Sequence, residues 1–184
     1  LSEVHLSVFS GAWVPMGNAS VLGVHPILGA ELGLRKNKFQ ATMVGEFRFG
    51  NAPNPINIYQ SDTILETDRF SGNYLGLEGS RLLFENEKGY YLLSIGVGID
   101  GFDAVKKTQG FESKTINSLN LNLGAGYAIK ISKKLSASLQ ARYHFINYNN
   151  KGGTAVDGHA LSIRLVMGLR ENARKDEGLK QLGY

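Results

Sequence analysis

Along most of this chain, apolar and polar side chains alternate residue by residue, and this period of two constrains the fold more than any other feature. A β-strand sends successive side chains to opposite faces, so the alternation predicts strands with one apolar and one polar face. Each predicted strand is near or above the roughly 9–11 residues that a tilted strand needs to cross a bilayer. The eight segments span residues 3–14, 23–35, 38–49, 70–84, 89–101, 115–131, 134–147 and 157–170.

The connections between these segments alternate strictly between short and long. Tight turns fall at 36–38, 85–88 and 132–134, and longer connections fall at 14–22, 50–69, 102–114 and 148–156. In an up-and-down barrel this alternation places every short turn at one end, as in outer-membrane barrels with periplasmic turns and extracellular loops. We therefore expect an all-β, eight-stranded antiparallel up-and-down transmembrane β-barrel at residues 1–170. Both termini would be periplasmic, and residues 171–184 would form a polar periplasmic tail.

The two faces of the strands distinguish a membrane barrel from a water-soluble barrel or sandwich, which is the alternative interpretation. A soluble barrel buries its apolar face, and its outer face normally carries many Lys and Glu residues. Here the mid-strand polar face has almost no Lys and holds small residues, Asn, Gln and a few Glu and Arg. Such side chains suit the narrow lumen of an eight-stranded barrel, so we expect the apolar face to contact lipid.

Charged side chains on the polar face have to pair with one another inside a lumen, so an interior polar network is predicted. Its proposed members are Glu31, Glu46, Arg48, Glu78, Arg142, His144 and Arg164. Aromatic side chains near the predicted strand ends are expected to form girdles at the two membrane interfaces. These are Trp13, Phe49, Phe70, Phe84, Tyr90, Tyr91, Phe102, Tyr127, Phe145 and Tyr148. In segment four, Leu82 and Phe84 break the phase, which predicts a bulge near Gly79.

Motifs for cofactors, metals and nucleic acids have little support in the sequence. Gly96, Gly98 and Gly101 match the G-x-G-x-x-G dinucleotide-binding fingerprint, but no helix is predicted to follow them, so Gly96 and Gly98 are expected to make room in the lumen. The four His residues lack the spacing of a metal site and the chain has no Cys, so no metal and no cofactor are expected. A net charge of +4 without a Lys/Arg stripe argues against nucleic acid.

Over its whole length the pattern resembles the small outer-membrane barrels, similar in plan to the OmpA transmembrane domain and OmpX. One departure is that the chain continues beyond Arg170, where such barrels often end on an aromatic residue. Residues 147–152 with Asp157 and Gly158 also locally resemble the lipid A 3-O-deacylases, which are barrel esterases with a His-x-Ser-Asn signature. Asn147 and Asn149 stand at the positions of the catalytic His and Ser, and Asn provides neither a general base nor a nucleophile.

These observations favour a non-enzymatic outer-membrane barrel with a structural, accessory or partner-binding role. The expected partners are outer-membrane lipid and lipopolysaccharide, with further outer-membrane or periplasmic proteins bound through residues 171–184 or the loop at 50–69. Two alternatives are a lipid A-modifying esterase of the outer leaflet and a small-solute pore. Eight strands leave a lumen that side chains fill, which argues against an open pore.

Overall fold

A computed structural model describes residues 2–60, 63–105 and 114–172 of the chain. Each strand pairs antiparallel with its sequence neighbours, and the first pairs with the last, so the sheet closes on itself. The predicted eight-stranded antiparallel barrel is therefore confirmed. The strands are β1 (Ser2–Gly17), β2 (His25–Lys36), β3 (Phe39–Gln60), β4 (Thr63–Leu83), β5 (Gly89–Val105), β6 (Lys114–Lys130), β7 (Leu135–Tyr148) and β8 (Val156–Asn172).

The main departure from the predicted strands is the length of β3 and β4. They continue through most of the predicted loop at 50–69 and pair with each other as far as Gln60 and Thr63. Their register shifts between Asn51 and Ile56, a stretch that contains two prolines with no N–H to donate. The expected bulge near Gly79 is wrong, because the pairing of β4 with both neighbours is regular there.

The apolar face of every strand points outward. Leu121, Leu139 and Ile163, at the middle of three adjacent strands, are 50%, 60% and 46% exposed. The polar face points into the lumen, where Glu46, Arg48 and other charged side chains are buried. The two stripes of each strand therefore have the orientation that the sequence predicts, with a continuous apolar belt around the barrel.

The two ends of the barrel differ in their connections. The terminus end holds the start of β1, the end of β8 and the three short turns, and the loop end holds the long connections. A short 3-10 helix, Asn18–Leu22, follows β1 at the loop end. No helix within residues 2–60, 63–105 and 114–172 is long and apolar enough to cross a membrane. Strand β8 continues to Asn172, two residues into the predicted tail, and residues 173–184 lie outside the described part of the chain.

Candidate functional site

Arg48 on β3 points into the lumen, and its side chain is fully buried. Its Nε donates to Glu46 at 2.8 Å, and its terminal nitrogens donate to the two carboxylate oxygens of Asp100 at 2.7 and 2.8 Å. A bidentate pair of this kind is among the strongest that arginine makes. The Tyr148 hydroxyl donates to Asp100 at 2.5 Å, and the Arg48 guanidinium lies 4.5 Å from the centroid of the Trp13 ring. Arg48 thus connects β3 to β5 across the lumen.

Two further arginines extend this group along the lumen. Arg164 on β8 donates to the second oxygen of Glu46 at 2.5 Å. Arg142 on β7 donates to Glu31 at 2.8 Å and forms an ion pair with Glu78. These contacts tie β2, β3, β4, β7 and β8 together through side chains as well as through backbone pairing.

Three buried guanidinium groups in this network face four buried carboxylates, so it carries one net negative charge when all seven are ionised. Desolvation offsets most of the attraction in a buried ion pair, so such a network adds little net stability. Removing one partner, however, leaves a buried charge unpaired and costs about 3–5 kcal/mol. The charged side chains of this network are therefore expected to stabilise the barrel only as a complete set.

The structure places all seven predicted network residues inside the barrel: Glu31, Glu46, Arg48, Glu78, Arg142, His144 and Arg164. Sequence reasoning left out Asp100 and Tyr148, which bind Arg48. A usable signal existed for both, because Asp100 shares the polar phase of β5 and Tyr148 lies in phase with Arg142 and His144.

His144 lies in an arrangement that would suggest nucleophilic catalysis on an accessible surface. Its Nε2 is 2.9 Å from Ser162 Oγ, and its Nδ1 is 3.2 Å from the side-chain nitrogen of Asn120. Asn120 donates in turn to Asp100 at 2.8 Å. All four residues are 0% exposed, so no substrate could contact Ser162 in this conformation. The chain of hydrogen bonds satisfies buried polar groups, which is a structural role.

The residues that locally resemble a deacylase lie elsewhere. Asn147 and Asn149 are exposed and point outward near the loop end. Among the described residues, no group of three His, Cys, Asp or Glu side chains is placed to hold a metal ion. Gly96 and Gly98 face the lumen, where a Cβ at Gly98 would lie 2.6 Å from the Tyr74 ring. Both glycines therefore leave space for interior side chains, as the sequence indicated.

Five rings close the lumen towards the loop end, and we call them the aromatic cap: Trp13, His25, Phe70, Phe102 and Tyr148. The centroids of His25 and Phe70 are 4.1 Å apart in a stacked pair, and those of Phe70 and Phe102 are 5.3 Å apart. None of the five is more than 3% exposed. Stacked and tilted pairs of this kind add to the stabilisation from burial.

The aromatic cap corrects the prediction of interfacial girdles. Five of the predicted girdle residues point into the lumen and are at most 5% exposed: Trp13, Phe70, Tyr90, Phe102 and Tyr148. The other five are 40% or more exposed on the outside: Phe49, Phe84, Tyr91, Tyr127 and Phe145. Closeness to a strand end does not decide which way an aromatic side chain points, because the phase of the strand does.

The extension of β3 and β4, residues 51–60 and 63–69, forms a lid over the aromatic cap. Ile56 and Ile58 are 1% and 0% exposed and belong to the same apolar cluster as the cap. Asn57 exchanges two hydrogen bonds of 2.9 Å with Thr154 in the connection between β7 and β8. The lid thus bridges the mouth, and the loop end is closed by packed side chains.

The terminus end is open, and charged side chains surround a cavity of about 430 Å³. Glu85, in the turn between β4 and β5, accepts one hydrogen bond from Arg35 at 2.6 Å and forms an ion pair with Lys130 at 2.9 Å. Burial raises the pKa of Glu85, but the Lys130 hydrogen bond and the charge of Arg35 outweigh it and hold the pKa below its ordinary value. Two cavities deeper in the lumen measure about 20 and 30 Å³, enough for one or two water molecules each.

No protein-family model matches the chain, and no curated protein matches it significantly. Among solved structures, the chain is similar to the crystal structure of Neisserial surface protein A (NspA), at 14% identity and a TM-score of 0.61 over 92% of this chain and 95% of that chain. Ail, the attachment invasion locus protein of Yersinia pestis, matches in complex with the heparin analogue sucrose octasulfate at 15% identity over 92% and 99% of the chains, with a TM-score of 0.49. The likeness to the Neisserial protein confirms the barrel fold.

Proposed function

We propose that this chain is an integral outer-membrane β-barrel with a non-enzymatic role, which presents its lid and loops to the outside of the cell. The observation that carries the proposal is the belt of exposed apolar side chains around the barrel, among them Leu75, Ile95, Leu121 and Leu165. Soluble monomers rarely expose contiguous apolar patches larger than a few hundred Å². In a bilayer the same belt contacts hydrocarbon, and the charged groups are sequestered in the lumen.

The absence of Cys from the sequence allows a direct test of the belt. Single substitutions Ile163→Cys, in the belt, and Lys151→Cys, in the exposed turn after β7, each carry one spin label. In reconstituted vesicles we expect the label at 163 to collide with dissolved oxygen and the label at 151 to collide with a water-soluble relaxation agent. If the label at 163 were as accessible to the water-soluble agent as the label at 151, the belt would not face lipid.

The orientation follows from the alternation of short and long connections, which puts the lid outside and the termini in the periplasm. Lys151→Cys marks the loop end and Lys133→Cys marks the terminus end. A membrane-impermeant maleimide added to intact cells should label the first variant and not the second. The reverse result would invert the proposed orientation.

The non-enzymatic role is supported by the closure of the lumen. The His144 and Ser162 pair is out of reach of substrate, and Asn147 and Asn149 lack the reactive groups of an esterase. The aromatic cap and the ion pairs fill the path that a pore would need. Mass spectrometry of lipid A from cells with and without the gene should give identical acyl patterns, and planar bilayers should show no conductance steps. A changed acyl pattern would favour the esterase, and discrete steps would favour the pore.

A surface role for the lid is testable separately from membrane insertion. Replacing residues 52–67 by a two-residue turn removes the projecting hairpin and leaves the eight barrel strands intact. We expect the shortened protein to insert normally but to lose binding to those glycans and proteins on an array that retain the full chain in detergent. Unchanged binding would show that the lid does not form the partner-binding surface.

A further inference from the structure

The cavity at the terminus end is bordered by more cationic side chains than carboxylates. Five cationic side chains border it: Arg35, Lys130, Lys133, Lys134 and Arg170. Three carboxylates border it as well, those of Glu3, Glu85 and Glu171. The cavity therefore carries two net positive charges when every group is ionised.

Each of the three carboxylates already has a cationic partner. Glu85 bridges Arg35 and Lys130 across the mouth at 2.6 and 2.9 Å. Glu171 is 3.3 Å from Lys134. Glu3 is 3.7 Å from Arg35.

Arg170 has no carboxylate within ion-pairing distance among the residues that the structure describes, and its Nε is shielded from solvent without a hydrogen-bond acceptor. The carbon at the centre of its guanidinium lies 5.5 Å from the centroid of the Tyr90 ring, and that of Arg35 lies 5.7 Å from the same centroid. Tyr90 is only 5% exposed, so its ring is a fixed support for both groups. A shielded N–H without an acceptor is unfavourable, and an anion that accepts from Arg170 Nε would remove that penalty.

We propose that this cavity binds a phosphate-bearing ligand, with Arg170 as the principal contact and Lys133, which has no ion pair within residues 2–60, 63–105 and 114–172, as a second cation. Phosphate accepts the forked donors of arginine, and a phosphate monoester carries close to the two negative charges that the cavity lacks. A volume of about 430 Å³ admits a group of sugar-phosphate or lipid-headgroup size. A soluble phosphate ester and the headgroup of a phospholipid beside the barrel both offer phosphate oxygens to arginine, the monoester with close to two negative charges and the phospholipid diester with one.

The test uses the full chain in a maltoside detergent, because a phosphocholine detergent would itself supply phosphate. Glycerol 3-phosphate is titrated at constant ionic strength and binding is followed by calorimetry. We expect saturable binding that weakens at least tenfold in Arg170→Gln and less in Arg170→Lys, which keeps the charge but loses the fork. The control is Arg81→Gln, at the same end but on the outer face over the Phe39 ring, which should bind as the wild type does.

Equal weakening in the variants at 81 and 170, or binding that follows ionic strength alone, would overturn the proposal. The fluorescence of the single Trp, Trp13, checks that each variant is folded. The source of the phosphate is separated by native mass spectrometry with phosphatidylglycerol. Retention of the lipid that depends on Arg170 identifies a headgroup, whereas Arg170-dependent binding of glycerol 3-phosphate alone identifies a soluble ligand, and either result supports the site.

Discussion

The two ends of this barrel differ in whether the lumen is closed: packed side chains close the loop end, and the terminus end is open. At the loop end the aromatic cap and the lid exclude water, and the ion pairs of Arg48 lie directly beneath them. At the terminus end the charged groups surround an open cavity of about 430 Å³. Solvated charges tolerate the loss of a partner, since water replaces it, and desolvated charges do not. The same kind of ion pair should therefore matter much more beneath the cap than at the open mouth.

The largest effect is expected at Arg48. Arg48→Leu leaves Asp100 and Glu46 buried with fewer partners and should lower the free energy of unfolding by about 3–5 kcal/mol. Urea unfolding in detergent, followed by the fluorescence of Trp13 and by the gel mobility of the unheated protein, measures it. Arg170→Leu, at the open end and without an ion pair among the described residues, should change the same quantity by about 1 kcal/mol or less. Similar losses in both variants would remove the distinction between the two ends.

The phase of alternation along each strand made the orientation of most side chains predictable from the sequence. Alternation predicts the inward orientation of four charged side chains, because the next residue in sequence is apolar and faces outward in each case: Glu46, Arg48, Arg142 and Arg164. The same phase would have placed Trp13, Phe70, Phe102 and Tyr148 inside, but their positions near strand ends suggested girdles. Phe84 is the exception, because it lies beyond the end of β4 and is 81% exposed.

Features that depend on contacts between distant parts of the chain were not predictable. The lid is one case: the two prolines and polar residues of 50–69 indicate a loop, and pairing with Thr154 across the mouth orders the hairpin. Ser162 beside His144 is another, since the two come together only when β7 and β8 pair in this register. A single sequence gives the phase of a strand but not its register with a neighbour or the path of a long connection.

The lid offers the next test, because its closure rests on burial. Ile58→Ala removes a fully buried side chain and should destabilise the lid by about 2–5 kcal/mol. Ile64→Ala, on the other strand of the same hairpin, removes a side chain that is 59% exposed and should have little effect. Hydrogen exchange of the backbone amides in residues 56–60 measures the opening. Equal protection in the two variants would mean that apolar burial does not hold the lid.

The packing of the lumen can be probed with a single added methyl group. A Cβ at Gly98 would lie 2.4 Å from the Leu75 carbonyl oxygen and 2.6 Å from the Tyr74 ring, so Gly98→Ala should cost about 1–3 kcal/mol. Gly45→Ala is the matched control, because Gly45 faces outward with nothing within 4 Å of the added atom. Both are measured by urea unfolding. A loss for Gly45→Ala as large as that for Gly98→Ala would contradict a tightly filled lumen.

The smallest effect is expected at the open end, in the ion pairs of Glu85. This carboxylate lies in the turn after β4, its side chain is 26% exposed, and Arg35 and Lys130 hold its pKa below the ordinary value. A lowered pKa in the folded state means that the ionised carboxylate stabilises the fold at pH values above the ordinary value of 4.5. As the pH falls through the lower folded-state pKa, the carboxylate becomes protonated and the contribution disappears.

Glu85→Gln should therefore lower the free energy of unfolding by less than about 1 kcal/mol at pH 7, because water and salt screen the pair. The difference from the wild type should shrink on acidification and also in about 1 M salt. Glu87→Gln, in the same turn at an exposed position, controls for the loss of a charge alone and should show neither dependence. A difference that persisted in acid would mean that Glu85 stabilises the turn by packing, and the open end would then resemble the closed end in how it is held together.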